Sequence, residues 1–232
     1  MNIGQVSVAR GRGLLKNVSI FADLDPASLA ALERLAEPRD YRSGAVVVSQ
    51  SDRGDALFVL VSGKVKVVLY GDSGREIILS IFKSPGDFFG EMSLLDNEPR
   101  SATVIADAPS RMLVLSRRDF QAHIESHPRA ALRVLQELSR RLRRADAVIG
   151  TLALLDVYGR LAGKLRELAA ADGEEAEDGV LVRQRPTQAE IAATIGTSRE
   201  TVSRALSEFA RRGWLAMSGK RLLLRRPFLA DR

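Results

Sequence analysis

Near the C-terminal end of the chain, two helix-start signatures stand ten residues apart with a glycine between them. Thr187 is followed three residues later by Glu190, and Thr197 by Glu200. In such a capping box the hydroxyl and carboxylate satisfy backbone N–H groups that the first turn of a helix leaves unpaired. The first helix then carries Ile191, Ala192 and Ile195 at helical spacing and meets Gly196, a residue suited to the left-handed conformation of a helix end. The second carries Val202, Leu206 and Phe209 as a stripe for burial, which leaves Ser198, Arg199, Glu200, Ser203 and Arg204 facing outward. Helix-turn-helix proteins lay the N-terminal part of the second helix in the major groove. There an Arg bonds guanine O6 and N7, and a Glu accepts from cytosine N4. Two Arg and one Glu on one face suit a half-site containing G and C. With Thr187 and Gln188 at the start of the first helix, these are the candidate DNA-contact residues. A solvated helical hairpin with ordinary surface charges is the alternative that the residues alone leave open.

The charge distribution supports the first reading. The 232-residue chain carries a net charge of +6, and residues 180–232 hold 11 basic residues against 4 acidic. Residues 1–130 are balanced, with 16 of each sign. A basic block of this kind fits a nucleic-acid module, because neutralising phosphates releases counterions and drives much of the binding. There is no cysteine. That excludes disulfides, thiolate-held iron–sulfur or zinc sites, and a thiol nucleophile. No apolar run of about 18 residues offers a membrane span, and the start, MNIGQVSVARGRG, lacks the apolar stretch of a signal peptide. A cytoplasmic protein with no membrane partner is expected.

The remaining sequence divides by periodicity. Asp23, Asp25 and Pro26 lead into a short amphipathic helix, SLAALERLAEP, closed by Pro38. From Tyr41 to Leu115, runs such as AVVVSQ, ALFVLVSGKVKVVLY, EIILSIF and RMLVLS are punctuated by glycines. They predict antiparallel strands closed into a barrel or jelly roll able to hold a small ligand. After Arg118 the pattern turns helical. Ala131, Leu135, Leu138, Leu142, Ala145, Ile149 and Leu152 recur at alternating spacings of four and three, an a/d seam along one helix from about Pro128 to Leu155. Arg140, Arg141, Arg143 and Arg144 crowd its other faces, so the seam is expected to pair with its copy in a parallel homodimer. Packing of the stripe on the chain's own barrel is the alternative. Asp156 interrupts the seam and caps a further helix, VYGRLAGKLRELAA, at a natural hinge. An acidic loop, ADGEEAEDG, follows, then a short strand in VLVRQR and a hairpin in WLAMSGKRLLLRR turning at Ser218 and Gly219. This fits a winged helix-turn-helix with Lys220 and Arg221 at the wing tip; ordinary turn residues are the other reading. The expected fold class is α+β: a sensor barrel over residues 1–127, a dimerisation helix over 128–155 and a winged helix-turn-helix over 156–232.

One segment of the barrel carries ligand chemistry. Phe89, Gly90, Glu91, Met92 and Ser93 lead through LLDNEP to Arg100, Ser101 and Ala102. A backbone nest or short helix start near a Ser hydroxyl and an Arg fork suits a phosphate. Glu91 adds an acceptor for a sugar hydroxyl. An Arg100–Glu91 salt bridge that merely stabilises a loop is the alternative.

At this point the chain resembles a known family. PGDFFGEMSLLDNEPRSATV is similar to the phosphate-binding cassette of cyclic-nucleotide-binding domains, and residues 15–224 resemble the CRP/FNR family of transcription regulators in order of parts, long helix, LALLDVYGRLA segment and SRETVSR recognition helix. The resemblance implies a homodimer in which a nucleotide in the sensor barrels reorients the DNA-reading domains. It implies that Glu91 meets the ribose 2'-hydroxyl, that Arg100 and Ser101 hold the cyclic phosphate, and that Arg199, Glu200 and Arg204 read a palindrome with TGTGA-like half-sites. RNA polymerase is a further candidate partner. Two departures bear on the effector. The loop before Arg100 is one residue shorter than in cAMP-binding members. The Thr and Ser with which those members recognise adenine fall here on Ala145 and Asp146. Ala145 forms no hydrogen bond, and Asp146 is an acceptor suited to guanine N1 and N2 rather than to adenine N1 and N7. The family therefore leaves cAMP, cGMP and cyclic di-GMP as effectors, with no metal. His123 and His127 fall in the helical part, which argues against haem. With no motif for a nucleophile and base, no Walker loop and no metal-ligand cluster, an enzyme is not expected. A nucleotide-binding module with a protein partner and a constitutive DNA binder with a degenerate pocket are the other readings.

Overall fold

A computed structural model describes residues 13–71 and 74–230. The reading of the first dozen residues as lacking a signal peptide lies outside the described residues. The chain divides into two compact units, residues 1–69 with 78–143, and residues 70–77 with 144–232.

The first unit opens with two 3-10 turns, Leu15–Asn17 and Ser19–Phe21, and helix α1, Pro26–Leu35. Asp25 caps α1 by accepting from the N–H groups of Ala27 and Ser28. The helix ends before the expected stop: Ala36 is already extended, and Pro38 sits inside strand β1, Glu37–Tyr41, opposite Leu113. A proline biases the residue before it toward extended backbone, and β1 is an edge strand, where a missing N–H is tolerated. The expected strands follow as β2 (Val46–Val48), β3 (Ala56–Ser62), β4 (Val65–Tyr70), β5 (Glu76–Phe82) and β8 (Ser110–Ser116). Two more, β6 (Phe88–Phe89) and β7 (Thr103–Ala106), flank the cassette. They form two antiparallel four-stranded sheets, ordered β1-β8-β3-β6 and β2-β7-β4-β5, the double-sheet arrangement of a jelly roll. The alternation of strand residues fills its interior: Phe58, Leu60, Val65, Val104, Met112 and Val114 form one cluster.

Helix α2, Glu91–Asp96, lies within the cassette; α3, Arg117–Ser126, and the long helix α4, Pro128–Leu154, follow the barrel. Ala130 is buried, Val134 joins the first unit's core and Leu138 packs on it partly. The rest of the seam is not absorbed there: Leu135, Leu142 and Ile149 are 61%, 63% and 62% exposed. So one face of the helix start meets the barrel, and Leu138, expected on the seam, belongs to that face.

On α3, His123 is buried, with Phe21 at its edge and His127 stacked on it at 4.7 Å. Burial, with a smaller contribution from His127, depresses its pKa from 6.5 to about 4. A depressed histidine binds protons more readily when unfolded, so its contribution is complete above pH 6.5 and is lost as pH falls toward 4. Acidification across that window is expected to cost on the order of 2 kcal/mol through this residue, after allowance for solvent screening. Urea melts at pH 7 and pH 4.5 should show the loss, and His123→Leu should reduce it; an equal loss in the variant would remove His123 as its source.

In the second unit, Asp156 caps helix α5, Val157–Asp172, by accepting from the Gly159 N–H at 2.7 Å, as the interrupted seam predicts. The acidic segment is not a loop. Gly173–Ala176 forms strand β9, paired with β10, Gly179–Val182, and only Glu177 and Asp178 make the turn. Cross-strand pairing of Glu174 with Arg183 at 2.7 Å neutralises part of the acidic run. Strands β11, Leu215–Ser218, and β12, Arg221–Arg225, complete a sheet ordered β11-β12-β10-β9, and α8, Arg226–Ala230, closes the chain's described part. Ser218 pairs with Arg221, so the hairpin turns at Gly219 and Lys220, one residue later than expected. Helices α6, Gln188–Ile195, and α7, Arg199–Arg211, share one core with α5 and the sheet through Leu161, Leu165, Ile191, Val202, Leu206 and Phe209. Among the described residues no helix is long and apolar enough to cross a membrane.

Candidate effector pocket and nucleic-acid interface

The cassette is assembled around Arg100. Its backbone is held from both sides by the 51–52 loop: its N–H donates to the Asp52 carbonyl and its carbonyl accepts from Ser51, each at 2.8 Å. The residue is 5% exposed. Nη1 donates to the Gly90 carbonyl at 2.9 Å and Nη2 to that of Ala56 at 2.8 Å, while Phe58 lies beneath the guanidinium. Nε is buried without a hydrogen-bond partner. Gly90 takes φ 91° at the start of α2, and a Cβ there would stand 2.6 Å from Arg100 Nη1. Only glycine therefore lets the carbonyl approach the fork. Gly54 is packed as tightly, since its Cβ would meet the Ser93 side chain at 2.4 Å and Arg100 Nε at 3.0 Å.

Glu91 is 1% exposed and makes no ion pair with Arg100. Its Oε1 accepts from Arg141 on α4 at 2.9 Å, and its Oε2 is buried without a partner. Burial pushes its pKa up, against the pull of Arg141. Arg141 also donates to Glu137 and to the Phe88 carbonyl, and lies over the Phe82 and Phe88 rings. Sequence reading placed this arginine among the charges on the helix's other faces. Its spacing of four from both Glu137 and Ala145 was the available signal. Through Arg141 the long helix holds the carboxylate assigned to the ribose.

The other pocket candidates separate. Ser93 and Ala102 are buried beside the cassette, and the Ser93 carbonyl accepts from Arg117 at 2.8 Å. Ser101 is exposed next to Arg100. Phe89 stacks on Phe58 at 5.1 Å as part of the core, and Met92 is 46% exposed on the outer side of α2. Ala145 and Asp146 are exposed on the part of the long helix that belongs to the second unit. Glu91 and Arg100 thus present an acceptor oxygen and a charged N–H, both buried and unpartnered, as a sugar hydroxyl and an anionic phosphate require.

The second unit supplies the reading helix. The first capping box forms as expected: the Thr187 hydroxyl accepts from Glu190 N–H, the Glu190 carboxylate from Thr187 N–H, and Gly196 closes α6 at φ 70°. The second does not. Ser198, not Thr197, caps α7, accepting from Thr201 N–H at 3.2 Å. The Thr197 N–H is engaged with the Ala192 carbonyl in closing α6, so the next residue is the first released to start the new helix. Ser198, Arg199, Glu200 and Arg204 are exposed, Ser203 and Gln188 are half-buried, and Thr187 is exposed at the helix start. A bond to its own backbone N–H, then Ser198 and the neighbouring arginines, hold Glu200 below the usual carboxylate range, which keeps it an acceptor. Lys220 is exposed in the turn between β11 and β12. At the other end of the unit, Arg160 donates to the Leu155 carbonyl at the end of the long helix and to the Ile195 carbonyl at the end of α6.

A jelly roll with a buried Glu–Arg cassette, joined through a long helix to a winged helix-turn-helix, is the plan of a regulator that couples a small-molecule sensor to DNA. Residues 38–127 match the cyclic nucleotide-binding domain and residues 159–232 the Crp-like helix-turn-helix domain. The chain is 36% identical over 211 residues to a CRP-like cAMP-activated global transcriptional regulator of Mycobacterium tuberculosis, covering 91% of this chain and 94% of the relative. It is 35% identical to the cyclic AMP receptor protein of Thermus thermophilus, covering 86% and 88%. Among solved structures it superposes with TM-score 0.76 at 25% identity on the c-di-GMP responsive global regulator CLP of Xanthomonas campestris, covering 87% and 99%. The chain belongs to the CRP/FNR family of transcription regulators.

Proposed function

We propose that the chain acts as a homodimer that binds palindromic DNA with TGTGA-like half-sites, under control of a cyclic nucleotide held by Glu91, Arg100 and Ser101. The observation that carries the reading is the pair of unpartnered buried atoms, Glu91 Oε2 and Arg100 Nε. Leaving such atoms unsatisfied costs about 1–3 kcal/mol each, which an effector's hydroxyl and phosphate relieve. The exposed seam residues Leu135, Leu142 and Ile149 support pairing of the long helices. Two reading heads then meet half-sites about one DNA turn apart. Arg141 links the Glu91 carboxylate to the long helix, and Arg160 bonds the Leu155 carbonyl at that helix's end and the Ile195 carbonyl at the end of α6. The boundaries proposed for the parts are residues 1–127, 128–155 and 156–232.

The experiment is a pair of titrations. DNA affinity should change at least severalfold with one nucleotide among cAMP, cGMP and cyclic di-GMP, and DNA should shift that nucleotide's affinity by the same factor. Equal DNA affinity with and without all three would leave a constitutive binder with a degenerate pocket. Ala145 and Asp146 favour a guanine base over adenine, and the superposition on a c-di-GMP responsive regulator makes cyclic di-GMP the second candidate. The double change Ala145→Thr with Asp146→Ser should shift preference toward cAMP by about tenfold, the effect of one good polar contact. An unchanged ranking would count against the guanine assignment.

A further inference from the structure

Arg185 immediately precedes Pro186 and the capping residue of α6, within the basic block. Its position in that block suggests a phosphate contact; its bonding does something else. Its backbone N–H donates to the Lys220 carbonyl at 2.9 Å. Its side chain donates from Nη2 to the Gly219 carbonyl at 3.1 Å and from Nη1 to the Pro186 carbonyl at 3.2 Å. The third nitrogen, Nε, is buried without a partner. One residue therefore grips both carbonyls of the two-residue wing turn and the carbonyl just before the helix-turn-helix. The guanidinium is turned toward the protein, with a donor left unused rather than offered outward.

We propose that Arg185 is a positioning residue for DNA binding, a brace that fixes the wing turn against the start of α6 so that Lys220 is held in reach of the DNA backbone. A two-residue turn between strands otherwise has freedom to swing, and a lysine on it loses that freedom on each encounter with a phosphate. The planar fork is needed because two carbonyls must be met from fixed directions. A lysine in its place keeps the charge and loses the fork. The inference rests on the reading that the second unit binds DNA.

The test is a double-mutant cycle on the full chain with a palindromic TGTGA-like duplex, measured across a range of salt. Lys220→Ala is expected to weaken binding about three- to tenfold and to lower the salt slope by about one for each lost phosphate contact. Arg185→Ala should weaken it similarly, and the double variant should be no worse than either, because the brace acts only through the lysine. Arg185→Lys should behave as Arg185→Ala. Additive losses, a further fall in salt slope in the double variant, or rescue by Arg185→Lys would make Arg185 a phosphate contact and overturn the brace. A Lys220→Ala variant that binds as tightly as wild type would also overturn it. Wild-type protein that ignores every duplex would defeat the DNA reading itself. Thermal melts accompany each variant, and if Arg185→Ala fails to fold, Arg185→Lys carries the cycle.

Discussion

Arg100→Ala is expected to raise the dissociation constant for the effector by a hundredfold or more while the chain remains folded. Arg100 is 5% exposed, with both Nη atoms committed to carbonyls and Nε unpartnered. Burial lowers its pKa from the ordinary arginine value, which lies so far above neutrality that the cation persists at any working pH. A buried cation facing an anionic phosphate contributes about 1.5–3 kcal/mol per charge-assisted hydrogen bond, and losing the charge itself adds to that. About 3 kcal/mol corresponds to a little over a hundredfold. The stability cost is smaller. Two carbonyls lose a donor, at about 1–3 kcal/mol each, but the desolvation of a buried charge is relieved at the same time. Calorimetry with whichever of cAMP, cGMP and cyclic di-GMP binds the wild type most tightly checks the first part, and a urea melt the second. Arg100→Lys separates charge from geometry and should fall between the two. Effector binding within tenfold of wild type in Arg100→Ala would place the phosphate elsewhere.

What the sequence discloses and what it hides follow from the range of the interactions involved. Periodicity is local, so strands β2 to β5 and β8, the long helix and both helices of the helix-turn-helix are legible from residue spacing alone. Capping is nearly as local. Thr187 and Glu190 behave as their spacing demands, but Thr197 is lost as a cap because its N–H is needed by the preceding helix. Pro38 misleads for the same kind of reason: the chain leaves the helix early to supply an edge strand that only the partner strand at Leu113 explains. The cassette is legible as a motif, yet the partner of Glu91 is not. The candidate 9 residues away, Arg100, turns to backbone carbonyls, and Arg141, 50 residues away, takes the carboxylate. Which of several arginines faces a pocket depends on the packing angle between helix and barrel, and no spacing rule carries that. The same holds for Arg185, whose charge is visible in the sequence and whose use is set by a turn 34 residues on.

The recognition helix gives the other large effect. Arg204→Ala is expected to weaken binding to the preferred palindrome by about 1–3 kcal/mol per half-site, the usual value of a bidentate guanine contact. Because a homodimer carries the change in both reading heads, the observed loss should approach twice that, from about thirtyfold to more than ten-thousandfold. Arg204 is exposed and, among the described residues, its side chain makes a single long 3.4 Å hydrogen bond, to Thr201 Oγ1, so it gives up little to reach a base. The loss should concentrate on one base pair of each half-site, and substitutions at that pair, costly to the wild type, should become nearly neutral for the variant. Arg199→Ala should do the same at a different pair. Arg204→Lys keeps the charge without the fork and should recover the salt dependence but not the base preference. Binding assays over a set of half-site variants distinguish base reading from backbone contact, since a phosphate contact weakens all sequences alike. Uniform weakening across the set would move Arg204 from the bases to the backbone, and the selectivity would then rest on Arg199 and Glu200.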